Sequence, residues 1–313
     1  MYNNVKYKYN NQIDVDTGLG HNQGYHPKII SFGELWNGYK YWMAFTPYPH
    51  GNDKVENPTI NVSNDLINWK SPDGIKNPLD FIEKPIGRMY NSDTHLLYNQ
   101  EKNELEVFWR RVERLKVIIY LKKSKDGIHW TNKEKFLKSN NMLIQDYISP
   151  SIIYENGTYK IWYVFHGNIY YTEKKKEKLI NPRILDIKYN NNSYFTWHFD
   201  INFNKEKKIY EIVSCPFIKH RTRNYLSLFY TKSKDNIKWD KPIKIMEPSL
   251  DKSRFDSQGL YRSSMIFENK TYYLFYSAHD KYFNTGIGLS YGISINELKP
   301  YLIKKIIKKS SKK

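Results

Sequence analysis

The sequence predicts an all-β fold, a five-bladed β-propeller with four antiparallel strands in each blade. The first observation is the composition: the 313 residues include 28 Tyr, 15 Phe and 8 Trp, and aromatic side chains suit a half-buried, pleated surface. The second is a strand–turn–strand unit that recurs five times along the chain. Radial repetition of four-stranded sheets is how a propeller protects its strand edges, so five units predict five blades.

The clearest two copies of the unit match each other without a gap. Residues 149–163 are SPSIIYENGTYKIWY, and residues 262–276 are RSSMIFENKTYYLFY. Each copy begins as an apolar strand, passes through a Glu-Asn turn completed by Gly or Lys, and continues as a second strand of alternating aromatic character. The pair therefore predicts equivalent hairpins in the third and fifth blades.

A second pair of copies supplies the second and fourth blades. Residues 93–109 align with residues 198–214, and the first unit, residues 26–43, shares their spacing. The blades are therefore predicted to begin near residues 26, 93, 149, 198 and 262.

A turn motif marks the later strands of three units. Its Ser, Asp and Trp positions are 63, 65 and 69, then 124, 126 and 130, then 233, 235 and 239. The Asp side chain accepts hydrogen bonds from the backbone that follows it, and Gly or Asn next to it tolerates a positive φ. The motif predicts a tight turn followed by a Trp that packs on its neighbours.

These boundaries predict one large domain. Residues 26–307 form the propeller, residues 1–25 form an N-terminal lead-in segment, and residues 308–313 form a basic tail. Neither a signal peptide nor a membrane-spanning segment is recognised. We expect a soluble protein that is made in the cytoplasm, with virion or cell-surface association left open as its destination. The oligomeric state is not predicted.

The chain is strongly basic. Its net charge is +18, from 50 Lys and Arg against 32 Asp and Glu, and such a field attracts polyanions. An AT-rich genome would also raise the lysine count without any functional demand. No zinc-finger, RNP or helix-turn-helix pattern occurs, so sequence-specific nucleic-acid binding is not predicted. Cys215 is the only cysteine, so no intrachain disulfide can form.

Polar residues begin the innermost strand of every predicted blade. In a propeller these positions converge at one end of the central channel, where they form a ring of His26, Asp93, Ser149, His198 and Arg262. A buried polar group without a partner costs roughly 1–3 kcal/mol, so the ring must be internally paired, hydrated or used. We predict a functional axial pocket, with a structural polar plug as the alternative.

Further polar and aromatic residues are predicted to surround this pocket. Besides Arg262, His198 and Ser149, the predicted ligand contacts are Arg88, Tyr90, Asn91, Arg110, His166, Gln258, Tyr261 and His279. Of the nine arginines in the chain, seven map to this face, at positions 88, 110, 111, 114, 221, 223 and 262. Arginine recognises carboxylate and phosphate groups in a bidentate manner. We therefore predict an anionic or cell-surface glycan as the ligand.

The inner strand, the aromatic second strand and the Ser-x-Asp-Gly-x-x-Trp turn together resemble the five-bladed propellers of glycoside hydrolase family 43 and the invertase-like enzymes. The resemblance covers residues 26 to about 298. It implies a carbohydrate-active or carbohydrate-binding propeller, with glycoside hydrolysis as one expected activity. Residues 26–60 are also similar to propellers encoded near bacteriophage tail genes. That similarity implies an alternative function as a non-catalytic receptor-binding or adhesion module.

The family resemblance also implies catalytic carboxylates, one acting as an acid and one as a base. Asp93 stands at a family carboxylate position, whereas His26 replaces the first-blade Asp that precedes a Pro. Asp146 and Glu56 are predicted to substitute for the missing groups, and His26 is a candidate proton donor. An alternative is that His26, Asp93 and His198 bind a divalent metal. Their spacing matches no metal motif, so neither a metal site nor a cofactor is predicted.

Overall fold

The predicted β-propeller is confirmed by the computed structural model, which describes residues 7–83, 87–139, 145–190, 192–217 and 226–306. Five small antiparallel sheets are arranged around a central channel. The predicted basic tail at residues 308–313 lies outside the described residues. In the part of the chain that is described, no helix is both long and apolar enough to cross a bilayer.

The strands follow one another along the chain with short connections. In chain order they are β1 (Tyr7–Asn10), β2 (Gly24–Trp36), β3 (Tyr39–Pro47), β4 (Thr59–Ser63), β5 (Met89–Asn99), β6 (Glu104–Glu113), β7 (Lys116–Ser124), β8 (Glu134–Lys138), β9 (Ile148–Glu155), β10 (Thr158–Phe165), β11 (Asn168–Lys175), β12 (Lys178–Leu179), β13 (Arg183–Ile184), β14 (Lys188–Tyr189), β15 (Asn192–Ser193), β16 (Thr196–Asn204), β17 (Ile209–Pro216), β18 (Leu228–Ser233), β19 (Ile243–Met246), β20 (Gly259–Glu268), β21 (Thr271–His279), β22 (Thr285–Gly292), β23 (Lys299–Pro300) and β24 (Ile303–Ile306). Two 3-10 turns, Pro49–Gly51 and Asp53–Val55, lie between β3 and β4.

Each blade begins with its innermost strand. Blade 1 is β2–β4, blade 2 is β5–β8, blade 3 is β9–β13, blade 4 is β16–β19 and blade 5 is β20–β23. The inner strands β2, β5, β9, β16 and β20 contact one another in that order, and β20 contacts β2. This closed ring of strands surrounds the channel and fixes which residues meet on the axis.

The outer strands of two blades depart from the regular pattern. In blade 1 the outer position is held by a single bridge between Lys70 and Val62. Pro72 follows closely, and proline cannot donate a ladder hydrogen bond. In blade 3 the outer strand is divided, because β12 and β13 both pair with β11.

The lead-in segment takes part in closing the propeller. Strand β1 pairs with β24, so the two ends of the described chain meet. Ile13 donates from its backbone nitrogen to the carbonyl of Ile287 in blade 5, and Asp14 donates in the same way to Ile67 in blade 1. The Ile13 side chain is fully buried. The segment therefore joins the last blade to the first.

The core lies between neighbouring blades. The second strands supply its largest side chains, and Trp42, Trp109 and Trp162 are fully buried there. The repeated turn motif also forms as predicted. Asp126 accepts hydrogen bonds from the backbone nitrogens of Ile128 and His129 at 2.8 Å. These turns fix the connections to the outer strands. The channel residues lie on the inner strands.

Candidate active site

The inner strands turn polar side chains into the channel through β-bulges. In blade 2, Asp93 and Thr94 together oppose one residue of β6, because the register moves from Ser92–Arg110 to His95–Phe108. Comparable shifts occur in blades 1, 3, 4 and 5 near the predicted ring positions. A bulge bends a strand and re-aims a side chain.

Three ring residues adopt the left-handed backbone conformation that such a bulge can require. The φ angles are 53° for His26, 50° for Asp93 and 50° for Ser149. Left-handed conformations are uncommon for residues other than glycine and cluster at functional sites. The backbone at the top of the channel is therefore shaped to present these three side chains.

Asp93 is the centre of the ring. Its Oδ1 atom lies 3.1 Å from His198 Nδ1, 3.8 Å from His26 Nε2 and 3.8 Å from Arg262 Nη1. Burial alone would raise the pKa of Asp93, but the two imidazoles and the guanidinium outweigh it and hold that pKa well below its usual range. Asp93 is therefore a permanent anion at the channel axis.

Glu56 forms the second acidic group of the site. It follows the 3-10 turn Asp53–Val55, and its Oε1 atom lies 2.9 Å from His26 Nδ1. Burial raises the pKa of Glu56 to about 7, against the lowering effect of the His26 contact. Burial has the opposite effect on His26 and lowers its pKa, because the protonated form is the charged form of a histidine. The proton of this pair therefore lies on the carboxyl group in the acidic range and can be exchanged near neutral pH.

A second polar layer lies directly beneath the ring. Lys28 and Asp200 lie two residues beyond His26 and His198 on the same strands, and Lys28 Nζ is 2.6 Å from Asp200 Oδ2. Ser151 donates to Asp200 at 2.7 Å. Arg262 is the second of the two bulge residues of its strand, after Tyr261, and it donates to the carbonyl of Pro150 at 2.9 Å. The groups of this layer are buried and paired with one another.

An axial pocket of about 380 Å³ opens above the ring. Of the predicted site residues, those that line it are His26, Glu56, Arg88, Tyr90, Asp93, Arg110, His198 and Tyr261. The others that line it are Tyr48, Asp53, Ser92, Gln145, Ile148 and Trp197. Trp197 is the extra residue of the blade 4 bulge, which no repeat in the sequence marks.

The pocket has two unlike sides. Blades 4, 5 and 1 supply an aromatic wall of Trp197, Tyr261 and Tyr48, in which the Trp197 indole donates to the Tyr261 hydroxyl. The Tyr261 ring also packs on the His198 ring at a centroid distance of 4.4 Å. The opposite side, from blade 2 and the segment before blade 3, is a polar wall of Arg88, Tyr90, Arg110 and Gln145.

Seven predicted residues do not line the pocket, and two of these support its floor. Ser149 is fully buried and contacts His198 Nδ1 at 2.5 Å through its hydroxyl. Arg262 lies beneath Asp93, as described above. Asp93 and Ser149 both approach Nδ1 of His198, whereas a Ser-His-Asp relay needs them on opposite ring nitrogens. The ring is therefore not a serine-nucleophile triad.

The remaining five lie elsewhere for identifiable reasons. Asn91 is on the opposite pleat from Tyr90 and Ser92, where it donates to Asn57. Asp146 turns away and accepts from Ser139. His166 is exposed at the tip of the β10–β11 hairpin, and Gln258 is half-buried just before β20. His279 is buried and packs on Phe283. Two arginines of the predicted basic face, at positions 221 and 223, lie outside the described residues.

The ring contains a set of side chains that suits a metal ion. His26, Asp93 and His198 each offer a ligand atom, and these atoms lie within 4.8 Å of one another. Within the described chain, the buried His26 Nε2 and Asp93 Oδ1 atoms have no hydrogen-bond partner. Glu56 contacts the other ring nitrogen of His26, as carboxylates commonly do behind metal-binding histidines. The residues present therefore fit a divalent cation.

The lone cysteine is not part of this chemistry. Cys215 is fully buried, and burial raises its pKa to about 12. A thiol in this state is a poor nucleophile, because the thiolate is the reactive form.

Comparison with known proteins gives one curated relative. No family model matches the sequence. An A type blood N-acetyl-α-D-galactosamine deacetylase from Flavonifractor plautii is 24% identical over an alignment that covers 81% of this chain. The chain spans about 39% of the length of that relative.

Solved structures share the fold. The N-acetylgalactosamine deacetylase of F. plautii, solved in complex with blood group B trisaccharide, aligns with a TM-score of 0.77 at 21% identity, over 92% of this chain and 94% of that one. A thermostable family-43 glycoside hydrolase aligns with a TM-score of 0.62 at 13% identity, over 94% and 96% of the two chains. Exo-β-1,3-galactanase from Phanerochaete chrysosporium aligns with a TM-score of 0.61 at 10% identity, over 97% of this chain and 71% of that one.

These comparisons bear on the two resemblances seen in the sequence. The similarity to propellers encoded near bacteriophage tail genes gains no support from them. The resemblance to the five-bladed propellers of family 43 is confirmed as a likeness of fold.

Proposed function

We propose that this chain is a carbohydrate-active hydrolase that removes an acyl group from an amino sugar of an anionic or cell-surface glycan bound in the axial pocket. The observation that carries the proposal is the Glu56–His26 pair beside Asp93 and His198. It combines a carboxyl group that titrates near neutral pH with a cluster of metal-ligand type. The described activity of the F. plautii relative, deacetylation of an N-acetylated sugar, belongs to the same class of chemistry.

Glu56 is the proton-transfer group in this proposal. A general base is most effective when its pKa lies close to the working pH, and the pKa of Glu56 is about 7. The ionised carboxylate takes a proton from water as the water oxygen bonds to the acyl carbon. The carbon–nitrogen bond then breaks, and Glu56 returns the proton to the departing amine. The products are a carboxylic acid, acetate in the simplest case, and a free amino sugar.

His26, Asp93 and His198 would hold the divalent cation that the ring fits. When bound, such an ion polarises a carbonyl group and lowers the pKa of water. The protein's own part is to keep Asp93 ionised, through its imidazole and guanidinium neighbours, and to orient His26 through Glu56.

The geometry favours acyl removal over glycoside hydrolysis. A glycosidase needs a protonated acid and a second carboxylate that is free to activate water or attack. Asp93 is surrounded by three nitrogen groups, which makes it a poor acid and weakens it as a base. Among the described residues that line the pocket, this leaves Glu56 and the exposed Asp53 as the other carboxyl groups. Glycoside hydrolysis and binding without turnover are therefore the competing outcomes.

The test measures two products from N-acetylated oligosaccharides. We expect the protein to release acetate without creating new reducing ends, and we expect a chelator to stop the reaction until a divalent cation is restored. Glu56→Gln should lower the rate by about 10²–10⁴-fold, the usual contribution of a general acid–base group. New reducing ends would show a glycosidase instead. Tight binding with neither product would show a binding module.

A further inference from the structure

The polar wall of the pocket contains an arginine, Arg88, whose side chain makes no hydrogen bond or ion pair within the described residues. We propose that Arg88, stacked on Tyr90, is an anion-binding subsite for a carboxylate or sulfate carried by the sugar unit next to the one that reacts. This inference rests on the proposed function, because it places a substrate charge relative to the reacting acyl group.

Arg88 differs from most of the other arginines in its lack of partners. Five described arginines donate side-chain hydrogen bonds to protein acceptors: Arg110, Arg111, Arg183, Arg254 and Arg262. Within the described residues, the exposed Arg88 side chain has neither a hydrogen bond nor an ion pair, although it lines the pocket. Its charge is therefore available to a ligand.

The Arg88 side chain is also held in a defined direction. Its guanidinium carbon lies 5.6 Å from the centroid of the Tyr90 ring, within the range of a cation–π contact. Arg88 and Tyr90 both line the pocket. The contact keeps the guanidinium over the Tyr90 ring, and its N–H groups can donate to a carboxylate or sulfate in a bidentate manner.

The position of Arg88 indicates which part of the ligand it meets. Arg88 precedes Asp93 by five positions along the chain, and it is exposed, whereas Asp93 is buried on the pocket floor. We therefore place the guanidinium farther out in the pocket than the acyl group that reacts at Glu56 and Asp93. A neighbouring sugar unit, whose apolar face lies toward the aromatic wall, presents its outer substituent to the polar wall.

The charge on the other side of the pocket mouth agrees with this placement. Asp53 is exposed and lines the pocket from blade 1. An anionic substituent would be repelled there and attracted by Arg88. The pocket mouth is therefore polarised in a way that orients an acidic glycan.

The test compares three N-acetylated tetrasaccharides as probes. These are non-sulfated chondroitin, which carries uronic acid carboxylates, its sulfated form, and a neutral N-acetyllactosamine tetrasaccharide. Binding is measured by calorimetry with the full chain carrying Glu56→Gln, so that the result does not depend on turnover. We expect the acidic probes to bind more tightly than the neutral one. A gain on sulfation identifies sulfate as the preferred group, and no gain identifies the carboxylate.

Arg88→Gln, added to the Glu56→Gln chain, should reduce the selectivity for the acidic over the neutral probe by about tenfold or more, because the charge-assisted hydrogen bonds of the guanidinium are lost. Arg183→Gln is the matched control, because Arg183 stacks on Tyr171 at 4.8 Å but does not line the pocket. This control should leave selectivity unchanged. Equal affinity for acidic and neutral probes, no binding of the acidic probes, or unchanged selectivity in Arg88→Gln would overturn the subsite. Failure of wild-type acetate release would overturn only the proposed function.

Discussion

At the scale of single residues, the site depends on two carboxyl groups with opposite protonation behaviour. Asp93 is kept ionised by the groups around it, whereas burial keeps Glu56 protonated until near neutral pH. His26 lies between them, 2.9 Å from Glu56 and 3.8 Å from Asp93. The division of roles between a fixed anion and a proton-transfer group follows from these surroundings.

Asp93→Asn tests whether the ring is used or is only a structural closure. The substitution preserves shape and removes the charge. Arg262 keeps Asp200 as a second carboxylate neighbour, so we expect a folded protein whose glycan binding or acetate release falls at least about tenfold, the equivalent of roughly 1.4 kcal/mol. Denaturant unfolding and an activity assay are measured on the same sample. A loss of about 3–5 kcal/mol of stability, as for a buried charge left without its partner, would instead assign Asp93 to structure.

Glu56 predicts a measurable pH dependence of stability. Its folded-state pKa of about 7 exceeds the ordinary value of 4.5, so its stabilising contribution is complete below 4.5 and is lost as the pH rises through 7. The size of this loss is about 3 kcal/mol. His26, whose pKa is lowered, acts in the opposite direction.

Comparison with Glu56→Gln isolates the contribution of the carboxyl group. The unfolding free energy of the variant, relative to wild type, should rise by about 3 kcal/mol between pH 4.5 and pH 7.5. The measurement is denaturant unfolding across this pH series. A difference that stays constant with pH would mean that Glu56 titrates at its ordinary value.

At the scale of elements, the turn motif holds the outer parts of the blades through one tightly enclosed glycine. Gly127 has a φ of +78°, and an added Cβ would lie 2.1 Å from the buried Trp42 ring. Gly74 has a similar φ of +86°, but its nearest neighbour would lie 3.5 Å away. Both positions need a left-handed backbone, but only at Gly127 would an added Cβ collide with a neighbouring side chain.

Gly127→Ala should therefore destabilise the protein by about 3 kcal/mol or more, from roughly 1–2 kcal/mol of left-handed strain plus overpacking. Gly74→Ala should cost only the strain, about 1–2 kcal/mol. Thermal or denaturant unfolding of the two variants measures the difference. Equal costs would show that Trp42 moves aside freely.

The elements also show what the sequence can and cannot predict. Repeat spacing was sufficient to find all five inner strands, because copies of one unit keep their strand and turn signals. The bulges were not predictable, since His26, Asp93 and Ser149 adopt the left-handed conformation without being glycine. For a related reason Trp197 was not among the predicted pocket residues, and the prediction for Asn91 did not anticipate which pleat of β5 faces the channel.

At the scale of the whole molecule, the net charge of +18 acts on any acidic glycan that approaches the pocket. Exposed charges are screened beyond about 30 Å at 0.01 M salt and beyond about 8 Å at 0.15 M. Binding of an acidic oligosaccharide should therefore weaken steadily as salt is added, mainly through slower association. Calorimetric and kinetic titrations across a salt series check this, with a neutral oligosaccharide as control. Equal salt dependence of both ligands would contradict it.

The most direct test of the central claim is a crystal structure of the Glu56→Gln protein with a bound N-acetylated acidic tetrasaccharide. We expect the acetamide carbonyl at the pocket floor, between the side chain of residue 56 and Asp93, with the sugar ring against Tyr261 and Trp197. A glycosidic oxygen beside residue 56, with the acetamide turned away from the ring, would contradict the claim, and so would a glycan bound outside the axial pocket.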